Sequence, residues 1–76
     1  MLSEEAQKYK FTEGEYKDKV ISEMLNHYLV IQRIDYLTRC QWVKEEDKII
    51  YKELINYADK KYDWVKYIVK NEKITF

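Results

Sequence analysis

The sequence has no proline and a single glycine, Gly14, so the residues that most often interrupt helices are almost missing. Lys, Glu and Leu, which favour helices, are frequent. This composition predicts an all-α fold. One glycine also excludes a glycine-rich phosphate-binding loop, which needs several.

Cysteine and histidine are equally scarce, with Cys40 and His27 the only examples. A lone cysteine excludes an intrachain disulfide, and a lone histidine excludes a zinc site of the Cys₂His₂ type. An unpaired cysteine is typical of a reducing compartment. Residues 1–10 hold no apolar leader, and no run approaches the roughly 20 apolar residues that span a bilayer. We expect a cytoplasmic protein, in the host cytoplasm if phage-encoded, with no membrane partner.

Charge of one sign is also lacking, since 14 basic and 14 acidic side chains give a net charge of zero. This balance argues against a wholesale electrostatic nucleic-acid binder. The chain is rich in Lys, Ile and Tyr, with eight tyrosines among its 76 residues. Such usage is what an A+T-rich genome encodes, and low-G+C bacteria and their phages are natural sources.

Residues 1–76 are short enough to form one helical domain with a modest core. Near the start, Ser3 fits a helix N-cap, and Glu4 and Glu5 follow it at positions that suit a helix N-terminus. The segment is short and mostly polar. We expect a short N-terminal helix or arm.

A second helix start is indicated a few residues later. Thr12 and Glu15 have the spacing of a capping box, and Phe11 and Tyr16 have that of a hydrophobic staple. Two signals for one boundary predict a long helix over residues 13–39.

That predicted helix carries one apolar stripe along much of its length. Successive steps of about 100° per residue bring six apolar side chains into an arc of roughly 120°. They are Tyr16, Val20, Met24, Tyr28, Ile31 and Ile34. Residues 28–37 are apolar on further sides too, which predicts burial by a second partner.

Residues 42–70 show a helical pattern again, after a junction near residues 38–41. The acidic run 45–47 suits the first turn of a helix, and the pattern fits one long helix or two with a kink near residues 58–59. Lys61 interrupts the apolar stripe, which favours a break there. The last residues, 71–76, read as a helix end with Asn71 as cap, then a short extended segment.

Two long helices predict an antiparallel hairpin, each arm about 40 Å long at 1.5 Å per residue. A lone hairpin would leave much apolar surface in water. Two copies can close into a four-helix bundle. We therefore expect a homodimer formed through residues 28–37.

No catalytic constellation is visible in the sequence. His27 and Cys40 are 13 residues apart, about 20 Å along one helix, which is too far for a nucleophile and its base. The three consecutive acids at 45–47 point in three directions on a helix and cannot converge on one metal ion. We expect no enzymatic activity, no cofactor and no metal.

Large aromatic and aliphatic side chains off the main stripes are the strongest functional signal, because Tyr and Trp are enriched at interface hot spots. They predict a partner or dimer interface. We expect a small non-enzymatic helical protein that binds another protein and modulates or inhibits it, as a phage or mobile-element accessory protein does. The interface residues are Tyr28, Leu29, Val30, Tyr36, Leu37, Trp42 and Tyr67.

A lysine row on the second helix predicts an alternative function, because a continuous helix would place it within an arc of about 80°. Such a row on a dimer can track a phosphate backbone. A solvated helix face explains the same row without any ligand, and a structural or assembly subunit is a third alternative. The lysines are Lys44, Lys48, Lys52, Lys66, Lys70 and Lys73.

Overall fold

The computed structural model describes residues 2–69, and this part of the chain is mostly helical, as the composition predicted. Four α-helices and one short 3₁₀ helix follow one another within residues 2–69. They are α1 (Glu4–Lys8), the 3₁₀ helix (Ile21–Met24), α2 (Tyr28–Arg39), α3 (Glu45–Lys61) and α4 (Val65–Ile68).

The first helix begins where the sequence predicted. The Ser3 hydroxyl accepts a hydrogen bond from the Ala6 backbone N–H at 3.2 Å, which caps α1. Ser3 is also held from α3, because its backbone N–H and its hydroxyl donate to the two carboxylate oxygens of Glu53 at 2.6 and 3.0 Å. This contact joins α1 to the middle of α3.

The prediction of one helix over residues 13–39 is wrong in its first half. Residues 11–20 form turns instead of a helix, and α2 begins only at Tyr28. Gly14 and Asp18 have φ angles of +88° and +70°, and neither value is compatible with a right-handed helix.

Contacts with distant parts of the chain explain why residues 11–20 form turns and not a helix. Lys10 and Val20 form an isolated antiparallel bridge, which brings the two ends of the segment together. The Phe11 ring then lies in the core at 2% exposed, and the Ile21 side chain is fully buried. The predicted staple pair does pack, with Phe11 and Tyr16 ring centroids 5.7 Å apart, but across a turn.

The central helix α2 has one buried and one exposed side. Its buried side faces α3, with which it shares its most extensive packing. Its exposed side is left without a covering element among residues 2–69. The buried residues are Val30, Ile31, Ile34, Asp35, Leu37 and Thr38.

Residues 42–70 do not form one helix, and the alternative of two helices is confirmed for residues up to 69. The acidic run 45–47 lies in the first turn of α3, as predicted. The helix ends at Lys61, where the Tyr62 N–H bonds the Ala58 carbonyl at 2.8 Å and Tyr62 becomes extended. The short helix α4 follows. The predictions for residues 71–76, including the Asn71 cap, lie outside the described residues.

The two longer helices are shorter than the predicted hairpin assumed. The two longer helices have 12 and 17 residues, or about 18 and 26 Å, instead of about 40 Å. The described part measures 27 × 25 × 23 Å, because the N-terminal third and α4 pack against the α2–α3 pair. Of the region predicted to form the dimer, Val30 and Leu37 are buried within the monomer, whereas Tyr28, Leu29 and Tyr36 are exposed. No helix within residues 2–69 has the length and apolarity that a membrane crossing requires.

Candidate functional site

Five of the seven predicted interface residues lie at the surface of the protein. Trp42 is 61% exposed and Tyr36 is 50% exposed, which is unusual for side chains of this size. Tyr28, Leu29 and Tyr67 are exposed as well. These side chains are available to a partner.

The other two predicted interface residues are placed differently. Val30 is fully buried and Leu37 is 6% exposed, because both lie on the side of α2 that packs into the core. They stabilise the monomer and do not belong to its surface.

The exposed side of α2 also carries both arginines of the chain, Arg33 and Arg39. Arg39 is tied down, since its Nη2 lies 3.2 Å from Oδ2 of the buried Asp35 one turn earlier. Arg33 has no ion pair with any residue of the described part. Of the two guanidinium groups, Arg33 is therefore the one available to an external carboxylate.

A groove of about 350 Å³ runs beside Trp42, and we call it the Trp42 groove. It lies between the turn at residues 11–14, the exposed side of α2 and the start of α3. Its walls include Tyr36, Trp42, Arg33 and Lys44. Aromatic rings and a guanidinium lining one concave surface are the composition typical of interface hot spots.

A second groove of about 290 Å³ adjoins the first, and we call it the Leu29 groove. Arg33 and Tyr36 line both grooves, so they form a ridge between them. The other lining residues are Glu15, Tyr16, Leu29 and Gln32.

The position of Arg33 depends on Gly14. A Cβ atom placed on Gly14 would lie 3.1 Å from Nη2 of Arg33 and 3.5 Å from its Cζ. The absence of a side chain at residue 14 therefore leaves room for the guanidinium, which rests on the turn. The positively charged guanidinium group of Arg33 therefore lies on the ridge between the two grooves.

Two residues that line the Trp42 groove, Asp47 and Tyr51, contact Tyr9 of the N-terminal segment. The Tyr9 hydroxyl donates a hydrogen bond to an Asp47 carboxylate oxygen, and the Tyr9 and Tyr51 rings meet edge to face at 5.7 Å. Burial, followed by the bond to Asp47, raises the pKa of Tyr9, and burial followed by the Asp47 charge raises the pKa of Tyr51. Both rings stay neutral near pH 7, which suits an anchor and not a base.

Of the six lysines predicted as a nucleic-acid face, those at positions 44, 48, 52 and 66 lie within the described residues. The break after Lys61 separates those of α3 from Lys66, so the assumed continuous helix is absent. Lys48 is only 15% exposed, with its Nζ 3.5 Å from Glu45 Oε1, and Lys66 lies 5.4 Å from the Tyr67 ring. Lys44 is exposed and Lys52 half-buried, while Lys70 and Lys73 lie outside the described residues.

His27 and Cys40 occupy opposite ends of α2. His27 caps its start, with Nδ1 accepting from the Leu29 backbone N–H at 3.3 Å, and Cys40 is the residue at its end. A helix of 12 residues, about 18 Å long, separates them. His27 acts as a helix cap. The sequence pattern did not indicate this role, because the predicted helix over residues 13–39 placed His27 in its interior.

A wider cleft of about 520 Å³ lies between α1, the 3₁₀ helix and the end of α3. Its polar groups bond to each other: the Ser22 hydroxyl donates to the Gln7 carbonyl at 2.8 Å, and the Gln7 amide donates to the Leu2 carbonyl at 2.9 Å. These bonds hold the N-terminal segment in place. Within residues 2–69, no group of three or more His, Cys, Asp or Glu side chains could hold a metal ion.

Comparisons with protein-family models, with curated proteins and with solved structures found no match.

Proposed function

We propose that this protein binds another protein through the Trp42 groove and modulates or inhibits it. The observation that carries the proposal is the exposure of Trp42 and Tyr36 on the walls of one groove that Arg33 also lines. Trp, Tyr and Arg are the three residue types most enriched at hot spots. Burying two large rings against a partner would supply much of the binding free energy.

The proposed mode of action is steric. Asp47 and Tyr51 of α3 line the groove, and both contact Tyr9 in the N-terminal segment, which joins this wall to a second part of the chain. A preformed surface loses less conformational entropy on binding than a mobile one. Covering a functional surface of the target needs no chemistry from this chain. The Lys-rich, A+T-like composition favours a phage or mobile-element accessory protein as its setting.

The nucleic-acid alternative has less support. It assumed one continuous helix carrying a row of exposed lysines. Lys48 is only 15% exposed beside Glu45, and Lys66 lies on α4, after the helix break. The Trp42 groove instead combines positive and negative side chains, including Lys44 and Asp47.

The test is an affinity pull-down from a low-G+C bacterial lysate, run with and without nuclease treatment, with the wild type and two single-residue variants. Trp42→Ala removes the exposed ring from the groove. Ile49→Ala is the matched control, because Ile49 is 65% exposed on α3 and lies outside both grooves. We expect a target that the wild type and Ile49→Ala retain and Trp42→Ala loses.

Two results would count against the proposal. Equal retention of the target by the wild type and Trp42→Ala would remove the groove from the binding surface. Material retained only before nuclease treatment would favour nucleic acid as the ligand.

A further inference from the structure

The Leu29 groove carries an acidic and a basic side chain with apolar surface beside them. Glu15 comes from the turn before the 3₁₀ helix, and Arg33 comes from α2. Neither forms an ion pair within residues 2–69. Tyr16 and Leu29 line the same groove, and Leu29 is 42% exposed.

A surface with this arrangement is complementary to itself. In a two-fold contact the same patch is used by both copies, so residue i of one meets residue j of the other and the reverse also holds. A two-fold axis through the groove would bring Glu15 of each copy towards Arg33 of the other. Two symmetric ion pairs would then flank an apolar contact between the two Leu29 side chains.

We propose that the Leu29 groove is occupied by a second copy of this chain, in a two-fold dimer with reciprocal Glu15–Arg33 pairs. Arg33 is suited to this role because its guanidinium is held against Gly14 and offers a planar fork to a carboxylate. The proposal rests on Glu15, Leu29 and Arg33 and not on the proposed function, although Arg33 and Tyr36 line both grooves.

A charge exchange distinguishes a second copy from every other occupant. Glu15→Arg puts two positive charges at each reciprocal contact, and Arg33→Glu puts two negative charges there. Like charges brought together at an interface oppose association strongly. We expect each variant alone to dimerise at least about tenfold more weakly than the wild type. An equimolar mixture of the two restores opposite charges at both contacts and should form a heterodimer.

The measurement is molar mass from light scattering or sedimentation, over a range of micromolar concentrations. The wild type and the doubly exchanged chain, Glu15→Arg with Arg33→Glu, are expected to dimerise. The matched controls are Glu5→Arg and Lys60→Glu, which make the same changes of charge at exposed positions outside the groove and should leave the dimer intact.

Circular dichroism of each variant shows whether it is folded. If Arg33→Glu fails to fold, Leu29→Lys replaces it, because a charge at the exposed apolar centre should abolish dimerisation without any change at residue 33. A wild type that is monomeric throughout the range overturns the proposal. So does a wild-type dimer that Leu29→Lys leaves intact, or a mixture of the two charge variants that stays monomeric.

The two proposals fail separately. Trp42→Ala should leave the dimer unchanged, because Trp42 does not line the Leu29 groove. Loss of the dimer in Trp42→Ala would place the second copy in the Trp42 groove and overturn this assignment. Target retention by folded Glu15→Arg monomers would support partner binding without bearing on the dimer.

Discussion

Arg33 lies against the bare backbone of Gly14, the only glycine in the chain, with its Nη2 3.1 Å from where a Cβ on residue 14 would be. The two residues are 19 positions apart in the sequence, and the contact joins the N-terminal turn to the exposed side of α2. It positions one cation on the ridge between two grooves.

Gly14→Ala should destabilise the protein for two reasons. The φ angle of +88° disfavours any residue with a Cβ by about 1–2 kcal/mol, and the added methyl group also displaces Arg33. Urea unfolding of the wild type, Gly14→Ala, Arg33→Ala and the double variant separates the two effects. The cost of Gly14→Ala should be smaller when Arg33 is already Ala, because only the backbone strain remains. If Gly14→Ala lowers the unfolding free energy equally in the wild type and in Arg33→Ala, the Gly14–Arg33 contact is not sterically tight.

Replacing Tyr9 with Phe should weaken the link between the N-terminal segment and α3. The variant loses a hydrogen bond to the Asp47 carboxylate, and bonds to charged acceptors contribute roughly 1.5–3 kcal/mol. Partial exposure of the site places the expected loss of unfolding free energy near the lower value. Tyr28→Phe is the control, because Tyr28 is exposed and its hydroxyl makes no hydrogen bond to another side chain within residues 2–69. Equal stability of the two variants would contradict a stabilising role for the hydrogen bond between Tyr9 and Asp47.

The raised pKa values of Tyr9 and Tyr51 predict how stability depends on pH. In the unfolded chain both ionise near pH 10.0, whereas in the folded protein they hold their protons to higher pH. Above pH 10 the unfolded state therefore binds fewer protons than the folded state, and stability must fall as pH rises. The contribution is fully present below pH 10. Denaturant midpoints measured from pH 8 to pH 11 should fall less steeply in Tyr9→Phe than in the wild type.

Two apolar residues on α3 should respond very differently to truncation. Leu54 is fully buried, and Leu54→Ala removes core contacts at a cost of about 2–5 kcal/mol. Ile49 is 65% exposed, and Ile49→Ala should change the unfolding free energy by no more than about 0.5 kcal/mol. Thermal or urea unfolding checks both. A large loss from Ile49→Ala would mean that its side chain is covered in solution.

Glu53→Ala should release α1 without unfolding the rest of the chain. Both oxygens of Glu53 hold Ser3, but the contact is exposed, so the expected cost is about 1 kcal/mol. Amide hydrogen exchange is the suitable measurement. Protection should fall in α1 and remain in the α2–α3 pair, whereas unchanged protection in α1 would show that burial of Ala6 alone holds the helix.

Local signals in the sequence located the features that depend on near neighbours. Ser3 was identified as an N-cap, the acidic run 45–47 as a first turn, and Lys61 as a break, because each depends on residues within a turn or two. Residues 11–27 were assigned wrongly because their conformation depends on distant contacts. The capping box at Thr12 was overridden by burial of Phe11 and by pairing of Lys10 with Val20.

The candidate site could be predicted only in part for the same reason. The exposed rings of Trp42 and Tyr36 were foreseen from their places off the apolar stripes. Val30 and Leu37 were assigned to the interface because the predicted helix began at Glu13. The buried stripe was then centred partly on residues that do not belong to α2, and Val30 and Leu37 fell outside it. The ridge position of Arg33 depends on Gly14 in a turn that the sequence reading took for a helix. The lone glycine two residues after Thr12, inside the predicted capping box, was the signal available.

The contacts between the start of the chain and α3 constrain the order in which the protein can fold during synthesis. Ser3 is held by Glu53 and Tyr9 by Asp47, so each waits for a residue that is translated 50 or 38 positions later. Closing loops of this length is slow compared with forming a helix turn. On the ribosome these two contacts therefore cannot form until α3 has emerged, whereas the pairing of Lys10 with Val20 and the bond from Ser22 to Gln7 need only the N-terminal third itself.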